Sequence, residues 1–91
     1  MIVHRNIRVE GVVQGVWYRD FTKKKALHLC LVGFVMNKVD KSVYIEVEGD
    51  EDSIDEFILW CHNGSPNAIV TTVIVHDDEL VGFHDFQIKY I

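Results

Sequence analysis

Gly11-Val12-Val13-Gln14-Gly15-Val16-Trp17-Tyr18-Arg19 holds the residue types from which an anion site can be built. Glycine reaches backbone angles closed to other residues and lets a ligand approach the main chain. If a helix starts near Tyr18, its first amides have no intrahelical acceptor and carry partial positive charge. Phosphate suits such an end. Arg19 can add a planar fork of donors to two oxygens. A plain strand-to-helix turn with a surface arginine fits the same spacing. The nucleotide-phosphate patterns G-x-x-x-x-G-K-[ST] and G-x-G-x-x-G are both absent.

Other reactive side chains form no comparable pattern. Five histidines (His4, His28, His62, His76, His84) are scattered without H-x-H or H-E-x-x-H spacing, so surface or internally satisfied rings are expected and no metal site is assigned. Asp77-Asp78-Glu79 reads as a solvated turn rather than a hard-cation site. Cys61 falls on an apolar helix face and reads as a small core residue, while Cys30 has no base partner nearby in sequence. Asn63-Gly64-Ser65 matches a glycosylation sequon but reads as a helix stop. Trp17 and Tyr18 beside Arg19 have the chemistry to stack bases, but the aromatic strand pattern of RNA-binding sheets is missing.

The chain has 91 residues, which allows one domain, residues 1–91. An apolar content of 48% is that of a folded domain rather than a disordered chain. No apolar run approaches the roughly 18–20 residues that span a bilayer, so no membrane partner is expected. Charge appears within the first five residues, unlike a secretory signal, and two cysteines cannot form a disulfide framework. A reducing cytoplasm is the expected location. A net charge of −5 excludes nucleic-acid binding by bulk charge. The charge is unevenly spread: residues 1–45 carry eight basic and three acidic residues, residues 46–91 one basic and eleven acidic. Self-solvation of each half, or an anion site in the first half, both fit this asymmetry.

The elements that must position Gly11–Arg19 can be read from periodicity. Residues 5–13 alternate as a strand. Tyr18, Phe21, Thr22, Lys25, Ala26 and Leu29 fall on one face of a helix ending near Cys30. Residues 32–38 and 42–48 read as strands joined by a turn at Asp40-Lys41 that lacks the usual glycine. Asp50 to Ser53 supply caps and first-turn acids for a second helix, whose apolar face is Ile54, Phe57, Ile58 and Cys61 and whose stop is Asn63-Gly64. Residues 69–76 form a β-branched strand, and residues 82–90 a last short one. The order βαββαβ with a short extra C-terminal strand predicts an α+β, ferredoxin-like sandwich: an antiparallel sheet with two helices on one face. That scaffold alone does not specify a function.

The loop and its surroundings resemble the acylphosphatase family, whose first signature runs G-x-V-Q-G-V-x-[FY]-R-x-F. Val13, Gln14, Gly15, Val16, Tyr18, Arg19 and Phe21 match it, and Gly33-Phe34-Val35-Met36-Asn37 is similar to the second signature, G-[FW]-V-x-N. Thr22, Ala26, Leu29, Val47-Glu48-Gly49 and Phe86-Gln87-Ile88-Lys89-Tyr90 extend the likeness over almost the whole chain. The resemblance implies hydrolysis of a small-molecule acyl phosphate to a carboxylate and inorganic phosphate, by a monomer, with no metal or other cofactor. It gives Arg19 the role of holding the phosphoryl group and Asn37 that of orienting water. The loop amides of Gln14, Gly15, Val16, Trp17 and Tyr18 would complete the cradle. The alternative is a catalytically idle member of the family that binds an anion or a protein.

Five departures from the family pattern stand out. Cys30 replaces a glycine after the first helix, and Met36 replaces arginine or another polar residue before Asn37. Asp40-Lys41 replaces Asp-Gly, Ser65-Pro66 replaces Gly-Pro, and Trp17 puts bulk at the mouth of the loop.

Overall fold

The computed structural model describes residues 1–90. The elements are β1 (Ile2–Val12), α1 (Tyr18–His28), β2 (Val32–Asn37), β3 (Val43–Asp50), α2 (Glu51–Asn63), β4 (Ile69–Asp78) and β5 (Phe86–Lys89). They form one sheet in the order β4-β1-β3-β2-β5. The core lies between the sheet and the helices. Ile7, Val9, Val35, Val43, Ile45, Val47 and Phe86 from the strands meet Tyr18, Ala26, Ile54, Phe57 and Cys61 from the helices, all buried. Each fully buried aliphatic or Phe side chain contributes about 1.5–3 kcal/mol. Among the described residues no helix is long and apolar enough to cross a membrane.

The sheet departs from the expected all-antiparallel pattern at its last member, because β5 runs parallel to β2. Three strand boundaries also differ from expectation. β1 starts at Ile2, because Ile2, Val3 and His4 pair with Asp50, Gly49 and Glu48 of a longer β3. Asp77 and Asp78 are not a turn. They extend β4, opposite Arg5 and His4 of β1, and Arg5 Nε reaches the Asp77 carboxylate at 3.0 Å. β5 begins only at Phe86, because the amides of Val81, Gly82 and Phe83 donate to the Glu48 carboxylate instead of to a neighbouring strand. Burial pushes that carboxyl's pKa up, but the three amides outweigh it and hold it below the usual range. Residues 79–85 therefore lie strapped across the face of the sheet opposite the helices. Phe83 packs edge-on against Phe34 and His4 there, at centroid distances of 5.9 and 5.7 Å.

Two of the departures from the family pattern find local explanations. At Asp40-Lys41, Lys41 adopts φ 79° in place of a glycine. Asp40 Oδ1 accepts from Ser42 N at 3.0 Å and from Ser42 Oγ at 2.6 Å, so the carboxylate supplies turn bonds that the sequence rule assigns to an Asp-Gly pair. The Ser42 contacts and the Arg8 guanidinium hold the Asp40 carboxyl well below the usual range. At the end of α1, Leu31 N bonds Ala26 O and Cys30 N bonds Leu27 O, a Schellman closure with Cys30 as the left-handed residue at φ 59°. A side chain there costs about 1 kcal/mol. Cys30 is exposed, so its replacement loses little packing. Cys30→Gly is expected to raise Tm by a few degrees, about 4 °C or more if the full ~1 kcal/mol is recovered. An unchanged or lower Tm by calorimetry would show that the left-handed cysteine carries no strain.

Candidate active site

The first strand, after Val12, must turn through about five residues to enter α1, and three side-chain bonds shape that turn. Gln14 Nε2 donates to Lys38 O and to Ser42 O, each at 2.8 Å. This ties the loop to the β2–β3 hairpin. Ser65 Oγ, buried between α2 and β4, donates to Val16 O at 2.7 Å. Here the serine of Ser65-Pro66 does what a glycine could not. Tyr18 is buried at the start of α1, and its hydroxyl donates to Cys61 O at 2.9 Å. Burial, and after it the Cys61 contact, raises the phenol's pKa above its ordinary value, so it stays a neutral donor. Gly64 has φ +68°, and a Cβ there would lie 2.4 Å from the Tyr18 ring. Burial pushes the Cys61 thiol up to about 12, so it is protonated and no nucleophile.

Within this frame Trp17 takes the left-handed conformation at φ 64° and precedes the helix with no side-chain cap bond. Phe21 N makes the first intrahelical bond, to Trp17 O. The amides of Tyr18, Arg19 and Asp20 thus lack intrahelical acceptors and are uncapped among the described residues. Gly15, at φ +74°, has open space on its Cβ side. These residues belong to the lining of a cavity of ≈ 290 Å³ formed by Val13, Gly15, Trp17, Tyr18, Arg19, Asp20, Asn37 and Tyr90.

Arg19 extends from the first turn of α1, and Asn37 closes β2, so two separate elements bring them to one cavity. Arg5 and Arg8 are paired with carboxylates, but no carboxylate lies within 4.0 Å of the Arg19 guanidinium among the described residues. Its Cζ sits 4.8 Å from the centroid of the Tyr90 ring, which supports the plane of the guanidinium from one side. Asn37 Oδ1 is buried and has no hydrogen-bond partner in the described residues. A buried acceptor of this kind is costly unless a ligand or water donates to it.

Of the seven residues expected at the site, Arg19, Asn37, Gly15, Trp17 and Tyr18 line the cavity, while Gln14 and Val16 do not. The Gln14 side chain is a tether, and Val16 offers its carbonyl to Ser65. Tyr90 and Asp20 line the cavity without any signal in the sequence that assigns them to the site, and Val13 belongs to the signature without an assigned role. Tyr90 was visible only as the tail of the last family-like segment, and nothing in its spacing tells that β5 lies beside β2 and delivers it to Arg19.

The family model for acylphosphatase matches residues 5–88. This chain belongs to the acylphosphatase family. An acylphosphatase of Thermotoga maritima is 48% identical over 84 residues, covering 92% of this chain and 93% of the relative. The crystal structure of an acylphosphatase from Bacillus subtilis superposes with a TM-score of 0.95 at 38% identity, covering 99% of this chain and all of that one. The same fold at 33% identity and TM-score 0.88 forms 12% of the much longer HypF chain, covering 98% of this one.

Proposed function

We propose that this chain hydrolyses the carboxyl–phosphate anhydride of small acyl phosphates at the cavity of Arg19, Asn37 and the uncapped amides of α1. The observation that carries the reading is that, among the described residues, one cavity is lined by Arg19, whose guanidinium has no carboxylate partner, by Asn37, whose Oδ1 is buried without a partner, and by Tyr18, Arg19 and Asp20 of the uncapped first turn of α1. In this reading the phosphoryl group lies against the amides of Gly15 to Asp20, and Arg19 forks onto two of its oxygens. Preorganised donors of this kind stabilise the charge that develops on the equatorial oxygens. Tyr90, its ring 4.8 Å from the Arg19 Cζ, limits the swing of the guanidinium on that side. Asn37 Oδ1 accepts a hydrogen bond from the attacking water and so fixes its line of approach.

Water's oxygen bonds to phosphorus as the bond from phosphorus to the carboxyl oxygen breaks. The leaving carboxylate takes the bonding pair and, being weakly basic, needs no general acid. Asn37 is a poor base, so one of the water's protons passes to a phosphoryl oxygen while the other stays on the entering oxygen, and the products are a carboxylate and dihydrogen phosphate. The positive charge the reaction needs comes from Arg19 and the amides, and no metal takes part. The exposed Cys30 and buried Cys61, both free, fit a reducing cytoplasm.

The direct test is phosphate release from benzoyl phosphate in the presence of a chelator. Turnover that inorganic phosphate inhibits competitively is expected. Absence of turnover, with phosphate binding retained, would instead make the chain an idle anion-binding relative. Gln14 gives a separate test of the frame. Gln14→Ala removes both bonds to the β2–β3 hairpin, worth about 1–2 kcal/mol in stability. Because a misplacement of about 1 Å at a reacting centre costs on the order of 10²-fold, kcat is expected to fall towards that extent. A variant with lowered Tm but unchanged kcat would show that the hairpin keeps Asn37 in place without the tether.

A further inference from the structure

The face of the sheet opposite the helices carries a second cluster that the hydrolytic site does not use. His4 of β1 is completely buried there, beneath the 79–85 strap. Its Nδ1 lies 2.6 Å from Glu79 O. A carbonyl only accepts, so Nδ1 carries the hydrogen and Nε2 is left to face the other way. Nε2 lies 3.0 Å from Glu46 Oε1 of β3. Two acceptors cannot stand that close on their own, so a proton or a metal ion belongs between them.

The strand register brings a third group to the same place. Asp78 of β4 is opposite His4, and one ligand atom from each of His4, Glu46 and Asp78 lies within 4.8 Å of the others. Each of these side chains is also oriented by an outer partner. His4 Nδ1–H donates to Glu79 O, Glu46 Oε2 accepts from the Tyr44 hydroxyl at 2.8 Å, and Asp78 Oδ2 accepts from Asn6 Nδ2 at 2.9 Å. Such outer hydrogen bonds are what fix the tautomer and aim of metal ligands. The Asn6 amide that aims Asp78 has a buried Oδ1 with no partner among the described residues. The Glu48 carboxylate beside His4 is occupied by the strap amides and adds a further negative charge to the surroundings.

We propose that His4 Nε2, Glu46 and Asp78 bind one divalent transition-metal ion of the zinc type, remote in role from the hydrolytic cavity. One imidazole with two carboxylates suits zinc or cobalt better than magnesium or calcium, which take oxygen alone. At zinc–ligand distances of about 2.1 Å, tetrahedral ligand atoms sit roughly 3.4 Å apart. Asp78 Oδ1 also accepts from Glu79 N at 2.7 Å, and a small shift of this exposed side chain that keeps its Asn6 contact closes the remaining gap. The ion cross-links β1, β3 and β4, and through Glu79 it fastens the strap that leads to β5. The spacing of the histidines in sequence gave no sign of this site, because its three ligands come from three different strands.

The test uses the full chain after chelator treatment, titrated with zinc chloride by calorimetry and with cobalt(II) followed by its visible absorption and by paramagnetic broadening of amide signals. One ion per chain is expected, with broadening centred on residues 4, 46 and 78 and a rise in Tm. Asp78→Asn, which alters an exposed side chain and spares the fold, is expected to weaken binding at least about tenfold, as is His4→Gln. Benzoyl phosphate hydrolysis is expected to be the same with and without the ion, so the outcome is independent of the hydrolytic reading. No saturable binding would overturn the proposal and leave a proton between His4 and Glu46. Binding that survives Asp78→Asn, with broadening centred on His28, His62, His76 or His84, would overturn it equally.

Discussion

Arg19→Gln is expected to lower kcat/KM for benzoyl phosphate by at least about 10²–10³, the loss typical of removing one preorganised donor to a developing oxyanion. Arg19 is half-buried, its guanidinium has no carboxylate partner within 4.0 Å among the described residues, and it lies on the Tyr90 ring. No internal ion pair is lost with it, so Tm should change little. Inorganic phosphate affinity should fall with the rate, because the same fork holds substrate and product. Arg19→Lys is expected to restore little. An ammonium is a point charge that neither forks onto two oxygens nor lies flat on Tyr90. An Arg19→Gln protein with near-normal turnover would remove the residue from the mechanism.

Asn37→Ala is expected to divide the two parameters instead. Asn37 lines the cavity from the end of β2 with a buried Oδ1 that has no partner among the described residues, a place suited to directing water rather than to gripping phosphate. The rate should drop by about 10²-fold, the penalty for a nucleophile no longer held in line. Phosphate affinity should stay within a few-fold of the parent. A collapse of phosphate binding with the rate would make Asn37 a phosphate ligand and leave the water to be oriented by another group. Stability should hold or rise slightly, since the substitution removes a buried acceptor that lacks a donor.

Much of this was legible in the residues. Alternation and helical spacing gave both helices and the inner strands, because Ile7, Val9, Val43, Ile45, Ile54 and Phe57 are buried for local, periodic reasons. Gly15 and Arg19 were recognisable through the loop's chemistry, and Asn37 through the family resemblance. What escaped notice depends on pairing between distant segments. Asp77 and Asp78 look like a turn until Arg5 and His4 stand opposite them. Residues 82–85 look like strand until Glu48 claims the amides of residues 81–83. Gln14 enters the sequence reading only through its main-chain amide, and the second task of its side chain, tying the loop to two carbonyls of a hairpin more than twenty residues away, has no local signal. Tyr90 acquires its place only because β5 joins β2 in parallel, a pairing that hydrophobic period does not encode.

The claim that bears the rest is that the main-chain donors entering α1 and the Arg19 side chain act as one receptor for a tetrahedral anion. A titration of the isotopically labelled protein with inorganic phosphate, read at the backbone amides and at Arg19 Nε, tests it most directly. The amides of Gly15 to Asp20 and Arg19 Nε are expected to shift together along a single saturation curve, with residues on the opposite face of the sheet unmoved. Signals in that loop that stay still while phosphate saturates elsewhere, or that follow different curves, would contradict it.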